Sequence, residues 1–177
     1  INLGLFYGMG KAKLQAELGV SKDKAEELFS IYHERVPFVK SLTRSVSNRA
    51  QQRGQIRTLL GRLCRFHLWE PNQFGVHKAL PFDQARQEYG AGIKRAYTYK
   101  ALNKLIQGSA ADMTKKSMLE LYKEGIVAHI QVHDELDISV EDDKKAEQIK
   151  QIMESAVELE IPNKVDYESG KNWGDIK

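Results

Sequence analysis

The sequence predicts an α+β chain, helical in its front part and closed by a short antiparallel hairpin and a further helix. Three observations carry this reading. Ala25, Leu28, Phe29 and Tyr32, then Val39, Leu42, Val46 and Ala50, fall at helical spacing. A longer helical pattern spans residues 95–124, with Leu102, Leu105, Ile106, Met113 and Leu121 as its apolar stripe. Two β-branched runs, 126–132 and 136–140, enclose His133-Asp134-Glu135.

Each element has local punctuation. Residues 1–10 read as the end of a helix stopped by Gly8 and Gly10. Ser21 suits an N-cap, and Pro37 either opens the next helix or kinks the one before it. Gly54 ends that stripe. Two short apolar stretches around Gly61 predict a small hairpin within 55–68. Residues 70–92, with Pro71, Pro81 and three glycines, predict loop with short helices at most. Gly125 ends the long helix, whose small residues Gly108 to Ala111 imply close approach of another backbone. After the second hairpin, Asp142 or Asp143 caps a helix through Leu159, with Ala146, Ile149, Ile152, Met153, Ala156 and Val157 on one face. A short strand at 165–167 and the Trp173 segment close the chain.

Composition bounds the function. Of 177 residues, 41% are apolar and 29% charged, enough for a packed core. No apolar run reaches the roughly 18–20 residues of a membrane span, and no secretory leader pattern is present. The single cysteine, Cys64, excludes an intrachain disulfide and suits a reducing compartment. The first residue is Ile1, so the sequence reads as processed or as a piece of something longer. The net charge of +3 is unevenly placed. Residues 134–177 hold 13 acids and 6 bases, a net of −7, leaving +10 for the rest. Residues 36–69 contain Lys40, Arg44, Arg49, Arg53, Arg57, Arg62 and Arg65 and no acid. That pattern suits a polyanionic partner, or a plain solvated face.

The acidic tip is the sharpest chemical feature. Asp134 and Glu135 repel each other unless a cation sits beside them. Hard carboxylate oxygens suit Mg²⁺, which takes one or two carboxylates together with substrate phosphates. The plainer alternative is a solvated turn, and His133 alone is an ordinary surface histidine.

Read together, several segments resemble one family in one order. Residues 131–136 (Gln-Val-His-Asp-Glu-Leu) resemble the catalytic hairpin of family A DNA polymerases. Residues 2–9 (Asn-Leu-Gly-Leu-Phe-Tyr-Gly-Met) resemble the C-terminal half of the nucleotide-binding fingers helix. Residues 58–62 (Thr-Leu-Leu-Gly-Arg) resemble the fingers hairpin. Asn103 with residues 107–112 (Gln-Gly-Ser-Ala-Ala-Asp) resembles the long palm helix, and Asn172-Trp173 its C-terminal end. The resemblance covers essentially the whole chain. The long 69–92 connection is closer to phage members.

The resemblance implies a fingers portion over residues 1–92 and part of a palm over 93–177, with an exposed sheet edge. It implies primer-template DNA and deoxynucleoside triphosphates as partners, and two Mg²⁺ ions in the complete enzyme. Asp134 matches the metal-ligating aspartate, and Glu135 its supporting carboxylate. His133 matches a residue near the primer terminus. Asn103 and Gln107 match residues facing the duplex minor groove, where acceptors common to all base pairs report pairing geometry. Tyr7 and Gly8 match the stacking position for the templating base. Leu3 stands where an aromatic residue commonly meets the incoming sugar, which implies poor acceptance of nucleotides lacking the 3′-hydroxyl. Arg62 matches a template-phosphate contact. An arginine of cellular relatives is replaced by Tyr99, so Lys100 is the expected primer-side contact. The triphosphate-binding cations and the first palm aspartate belong to a part not in these 177 residues. The isolated chain is therefore expected not to polymerise without that upstream part. The implied location is the cytoplasm of a bacterium or phage-infected host. The alternatives are a non-catalytic DNA-binding module of the same origin and an unrelated metal-dependent hydrolase.

Overall fold

A computed structural model describes residues 2–73 and 78–176, with the side chains of Asn2 and Leu3 outside the description. The chain forms two compact units, Ile1–Gly108 and Ser109–Lys177. The longest described helix carries the chain from one to the other. No described helix is long and apolar enough to cross a membrane.

The first unit begins with helix α1 (Asn2–Phe6), which ends in a turn where Gly8 adopts φ +87°. Helix α2 (Lys11–Leu18) closes on Gly19. Helix α3 (Lys22–Arg35) starts as expected at Ser21, whose hydroxyl accepts from the Lys24 amide at 3.3 Å. Pro37 opens α4 (Pro37–Arg53) instead of kinking α3, since its fixed φ and missing donor cost nothing in a first turn. Gly54 closes α4 with φ +67°. The chain then enters the hairpin of β1 (Gln55–Arg57) and β2 (Leu63–Arg65), with Ile56 opposite Cys64. Val46, Ala50, Ile56 and Phe66 meet Ala101 in one buried cluster, edged by Leu42, Cys64 and Leu105. Fully burying a side chain such as Ile56 contributes about 1.5–3 kcal/mol.

Residues 70–92 depart from the expected loop. Strands β3 (Leu68–Pro71), β4 (Leu80–Pro81) and β5 (Ile93–Arg95) form an antiparallel sheet in the order β4-β3-β5, with helix α5 (Phe82–Tyr89) between β4 and β5. These strands are too short to show a period, and the prolines sit at their ends, where a missing donor does little harm. Glu70 on the central strand is almost wholly buried, opposite Lys94, whose ammonium lies 3.8 Å away.

The long helix also starts later than the expected residue 95. Arg95 belongs to β5, Tyr97 takes a left-handed φ of +60°, and Thr98–Lys100 form a 3₁₀ turn. Helix α6 then runs Ala101–Lys123. The backbone of Arg95 is committed to its pairing with Trp69.

In the second unit Gly125 ends α6 with φ +73°, as the sequence implies. Strands β6 (Ile130–Val132) and β7 (Glu135–Asp137) form the expected hairpin, though each is shorter than its β-branched run. All three residues of β6 are exposed. Helix α7 (Asp143–Ser155) is capped by Asp142, whose carboxylate accepts from the Lys145 amide at 2.7 Å, and it stops short of Leu159. Leu121, Ile126 and Ile149 are the core here, with Leu136, Ile138, Ile152 and Met153 packed on it.

The strand expected at 165–167 is absent among the described residues. The Val165 amide donates instead to Glu154 Oε1 at 3.1 Å, and Lys164 Nζ lies 3.5 Å from Oε2. A side chain has taken the bond a ladder would need. These contacts, the Val165 amide first, hold the Glu154 carboxyl below its ordinary pKa of 4.5. A depressed acid lends stability above its unfolded pKa and loses it as pH falls through the folded one. The Val165 amide is therefore expected to keep its protection from hydrogen exchange at pH 4.5 and to lose it only as the pH falls further, through the depressed pKa of Glu154, while Glu154→Gln removes that pH step.

Candidate functional site

The residues singled out by sequence fall into two groups, one in each unit. In the first unit, Tyr7 follows the last residue of α1, with its ring edge-on to Phe6 at 5.4 Å. Gly8 beyond it is open, with nothing near an added Cβ, but its φ of +87° strains any other residue. Asn103 and Gln107 are both exposed on the first turns of α6. They lie four residues apart, on one side of the helix. Gln107 Nε2 donates to the Tyr7 hydroxyl at 2.9 Å. Two residues 100 apart in sequence thus meet, and both lie on segments whose resemblance is to the same catalytic domain. The side chain of Leu3 lies outside the described residues.

Arg62 and Gly108 form a second junction in this unit. Arg62 Nη2 donates to the Gly108 carbonyl at 2.8 Å, and the Arg62 amide donates to Thr58 Oγ1 at 2.9 Å. Arg57 Nη1 reaches the Gly61 carbonyl across the hairpin turn at 2.7 Å. A Cβ on Gly108 would sit 2.8 Å from Thr58 Cγ2 and 3.3 Å from Arg62 Nη2. The close approach expected at Gly108 is therefore made by hairpin side chains, not by another backbone. Gly108→Ala is expected to lower stability by about 1–2 kcal/mol despite its better helix propensity, because Thr58 is buried and the clash outweighs the ~1 kcal/mol propensity gain. Thr58→Ser removes the offending methyl and keeps the hydroxyl. Chemical denaturation of the double variant should recover most of the loss.

Lys100 lies on the 3₁₀ turn before α6, exposed, with its ammonium 5.2 Å from the Tyr97 ring centroid and 5.6 Å from that of Tyr99. Arg95 was not a candidate by spacing, yet it braces this region. Its Nε donates to the Gln51 carbonyl at 3.2 Å and its Nη1 to the Phe66 carbonyl at 2.9 Å, while its guanidinium lies 4.6 Å from the Trp69 ring centroid.

In the second unit, Val132 pairs with Glu135, so His133 and Asp134 alone make the hairpin turn. His133 has φ +52°, a left-handed conformation in which histidine is enriched among non-glycine residues. Gln131 Nε2 donates to the His133 carbonyl at 2.6 Å and steadies the turn. His133, Asp134 and Glu135 are all exposed. Glu135 opens β7, so strand alternation directs it apart from its neighbours. Among the described residues no group of three or more His, Cys, Asp or Glu side chains converges as a complete metal site. Asp134 on the steadied turn and Glu135 at the start of β7 are exposed hard-oxygen donors, and each can give one ligand to a divalent cation whose shell phosphate oxygens and further carboxylates would complete.

Asp137 is the last residue of β7. It is half-buried, and its Oδ2 is buried without a hydrogen-bond partner among the described residues. An orphaned acceptor of this kind costs about 1–3 kcal/mol. Asp137→Val is expected to raise the melting temperature by about 2–4 °C, read by calorimetry.

Comparisons with known proteins agree with the motifs. A family model described as DNA polymerase family A matches residues 1–175. A DNA-directed DNA polymerase of Pseudomonas phage M6 is 32% identical over 98% of this chain and 28% of its own length. DNA polymerase I of Bacillus caldotenax is 32% identical over all of this chain and 19% of its own. Among solved structures, the POL domain of Pol1 from M. smegmatis, in complex with DNA primer-template and dNTP, aligns with a TM-score of 0.66 and 29% identity over 90% of this chain and 27% of that one. The chain thus spans 19–28% of the length of these relatives. With its motifs in order and the match running nearly end to end, the chain belongs to DNA polymerase family A.

Proposed function

We propose that this chain supplies the end of the nucleotide-binding helix, further fingers elements and the C-terminal part of the palm to a DNA-dependent DNA polymerase. The reaction is template-directed transfer of a deoxynucleotide onto a primer 3′-hydroxyl. The observation that carries this reading is the hydrogen bond from Gln107 to Tyr7. It joins the glycine-flanked aromatic residue at the front of the chain to the exposed amide face of α6. A ring and a pair of amides placed together suit a terminal base pair. The ring offers a stacking surface to any base, and the amides reach minor-groove acceptors that every correct pair presents.

The other residues take roles consistent with their surroundings. Asp134 and Glu135 would hold Mg²⁺, with Asp134 the principal ligand and Glu135 in support. Divalent cations, when bound, supply charge stabilisation at the reacting phosphate and help generate the attacking alkoxide. His133 offers an imidazole beside the primer terminus. Arg62 donates to the Gly108 carbonyl, which fixes the hairpin there, and its guanidinium would meet a template phosphate. Lys100 offers a cation to the primer strand. The upstream part of the polymerase, on the same or a separate polypeptide, would provide the remaining metal ligand and the triphosphate-binding cations. The working location is the cytoplasm of a bacterium or a phage-infected host.

The 177-residue chain by itself is expected to bind a labelled primer-template in fluorescence anisotropy, with affinity falling steeply as salt rises, and to extend no primer. Binding indifferent to salt, or absent at protein concentrations of about 100 μM in low salt, would remove the assignment of its basic and amide faces to DNA. In a polymerase containing this segment, Leu3→Tyr is expected to raise incorporation of dideoxynucleotides relative to deoxynucleotides by at least about tenfold, roughly 1.4 kcal/mol of discrimination, in single-turnover assays.

A further inference from the structure

We infer that Tyr97, Tyr99 and Lys100 form a preset clamp for one phosphodiester of the bound DNA, with the Tyr99 ring covering the adjoining sugar. This rests on the DNA-binding reading above and adds to it a pair of tyrosines and a register. Three observations carry it. First, Tyr97 is one of two described non-glycine residues with positive φ, a conformation that costs about 1 kcal/mol and persists only where the surroundings enforce it. Here the Lys100 amide bonds the Tyr97 carbonyl at 2.9 Å, and Thr98 Oγ1 lies 3.4 Å from Gln51 Oε1. The strained turn brings the Tyr97 ring to the Lys100 ammonium.

Second, the cation is held by aromatic faces and not by an acid. Its ammonium lies near two ring centroids, at 5.2 and 5.6 Å, and no described carboxylate pairs with it. Ring quadrupoles steer a lysine head without neutralising it. The long side chain thus loses part of its freedom before any ligand arrives, while its full charge stays available to an anion. Third, Tyr99 is 57% exposed, so a bound ligand can cover much of its ring surface.

The register follows from helix geometry. Lys100 precedes Gln107 by seven residues, about 10–12 Å along the axis. With α6 laid along the duplex, where successive phosphates of one strand advance about 3.4 Å, the clamp meets a phosphate about three steps from the position read by Gln107.

The test uses the whole 177-residue chain and primer-templates carrying single neutral methylphosphonates, scanned along each strand. In the unaltered chain, neutralising one phosphate about three steps from the single-strand junction should weaken binding about five- to tenfold, comparable to one lost charged contact. Lys100→Ala should weaken binding to the unmodified duplex by a similar factor, lower the salt slope by about one, and abolish the effect of that one methylphosphonate. Tyr99→Ala should weaken binding severalfold and Tyr99→Phe should not. Circular dichroism shows whether each variant remains folded. A scan unchanged by Lys100→Ala, or a Tyr99→Phe as weak as Tyr99→Ala, overturns the clamp while leaving DNA binding intact. Failure of the unaltered chain to bind DNA overturns the reading beneath it as well.

Discussion

Asp134→Ala, made in a polymerase containing this segment, is expected to lower template-directed primer extension by about 10³-fold or more, roughly 4 kcal/mol of transition-state stabilisation. Stability should change by no more than about 0.5 kcal/mol, because the side chain is exposed and anchors nothing in the described turn. That separation is the diagnostic result. A structural aspartate at a turn would cost stability and spare the rate, whereas a metal-ligating one does the reverse. Glu135→Ala should cost less, about tenfold, since β7 opens there and alternation directs its side chain apart from its neighbours. His133→Gly supplies the internal control. Glycine accepts the φ of +52° without strain, so the hairpin should be retained or slightly stabilised. Any loss of extension then belongs to the imidazole. Rapid-quench kinetics beside thermal melts of the same variants measure all three. An Asp134→Ala enzyme within tenfold of the parent would remove the carboxylate from the chemistry.

What was legible in the sequence is what local chemistry controls. The Ser21 cap, the opening of α4 at Pro37 and the closures at Gly54 and Gly125 each depend on a few neighbouring atoms, and each lies where the residue type placed it. The hairpin tip was legible for the same reason, since β-branched runs flanking a short polar tip leave few alternatives. Pairings made at a distance were not legible. Strand β3 is four residues long and becomes a strand because β4 and β5 arrive beside it. Residues 165–167 carry a strand-like composition, but Glu154 takes the Val165 amide. Helical spacing continued back to Arg95, yet that residue's bonds to Gln51 and Phe66 override it. The candidate site divides along the same line. Residue types identified Tyr7, Gln107 and Asp134 singly. Only the folded chain shows that Tyr7 and Gln107 touch, because no spacing rule reaches across 100 positions.

Arg95→Ala is expected to be the most destabilising single change in the first unit, at about 3–4 kcal/mol, and Arg95 carried no signal in the sequence. The guanidinium donates to two carbonyls from different segments, Gln51 near the end of α4 and Phe66 just after β2. Bonds from a charged donor are worth about 1.5–3 kcal/mol each, and the Trp69 stack adds about 0.5–1, though neighbouring terms do not add fully. Gly54 shows how closely the site is built. A Cβ there would lie 2.6 Å from Arg95 Cζ, and its φ of +67° disfavours a side chain as well. Arg95→Lys should recover less than half of the loss. A lysine head is a single point with a flexible stem, unable to bridge two carbonyls while lying flat on an indole. Arg53→Ala, exposed on the same turn of chain, should stay within about 0.5 kcal/mol of the parent. Urea denaturation monitored by Trp69 fluorescence ranks the variants, and hydrogen exchange at the β3 and β5 amides locates the damage. If Arg95→Ala unfolded at the same urea concentration as Arg53→Ala, the guanidinium would be a surface group, and the late start of α6 would need another cause.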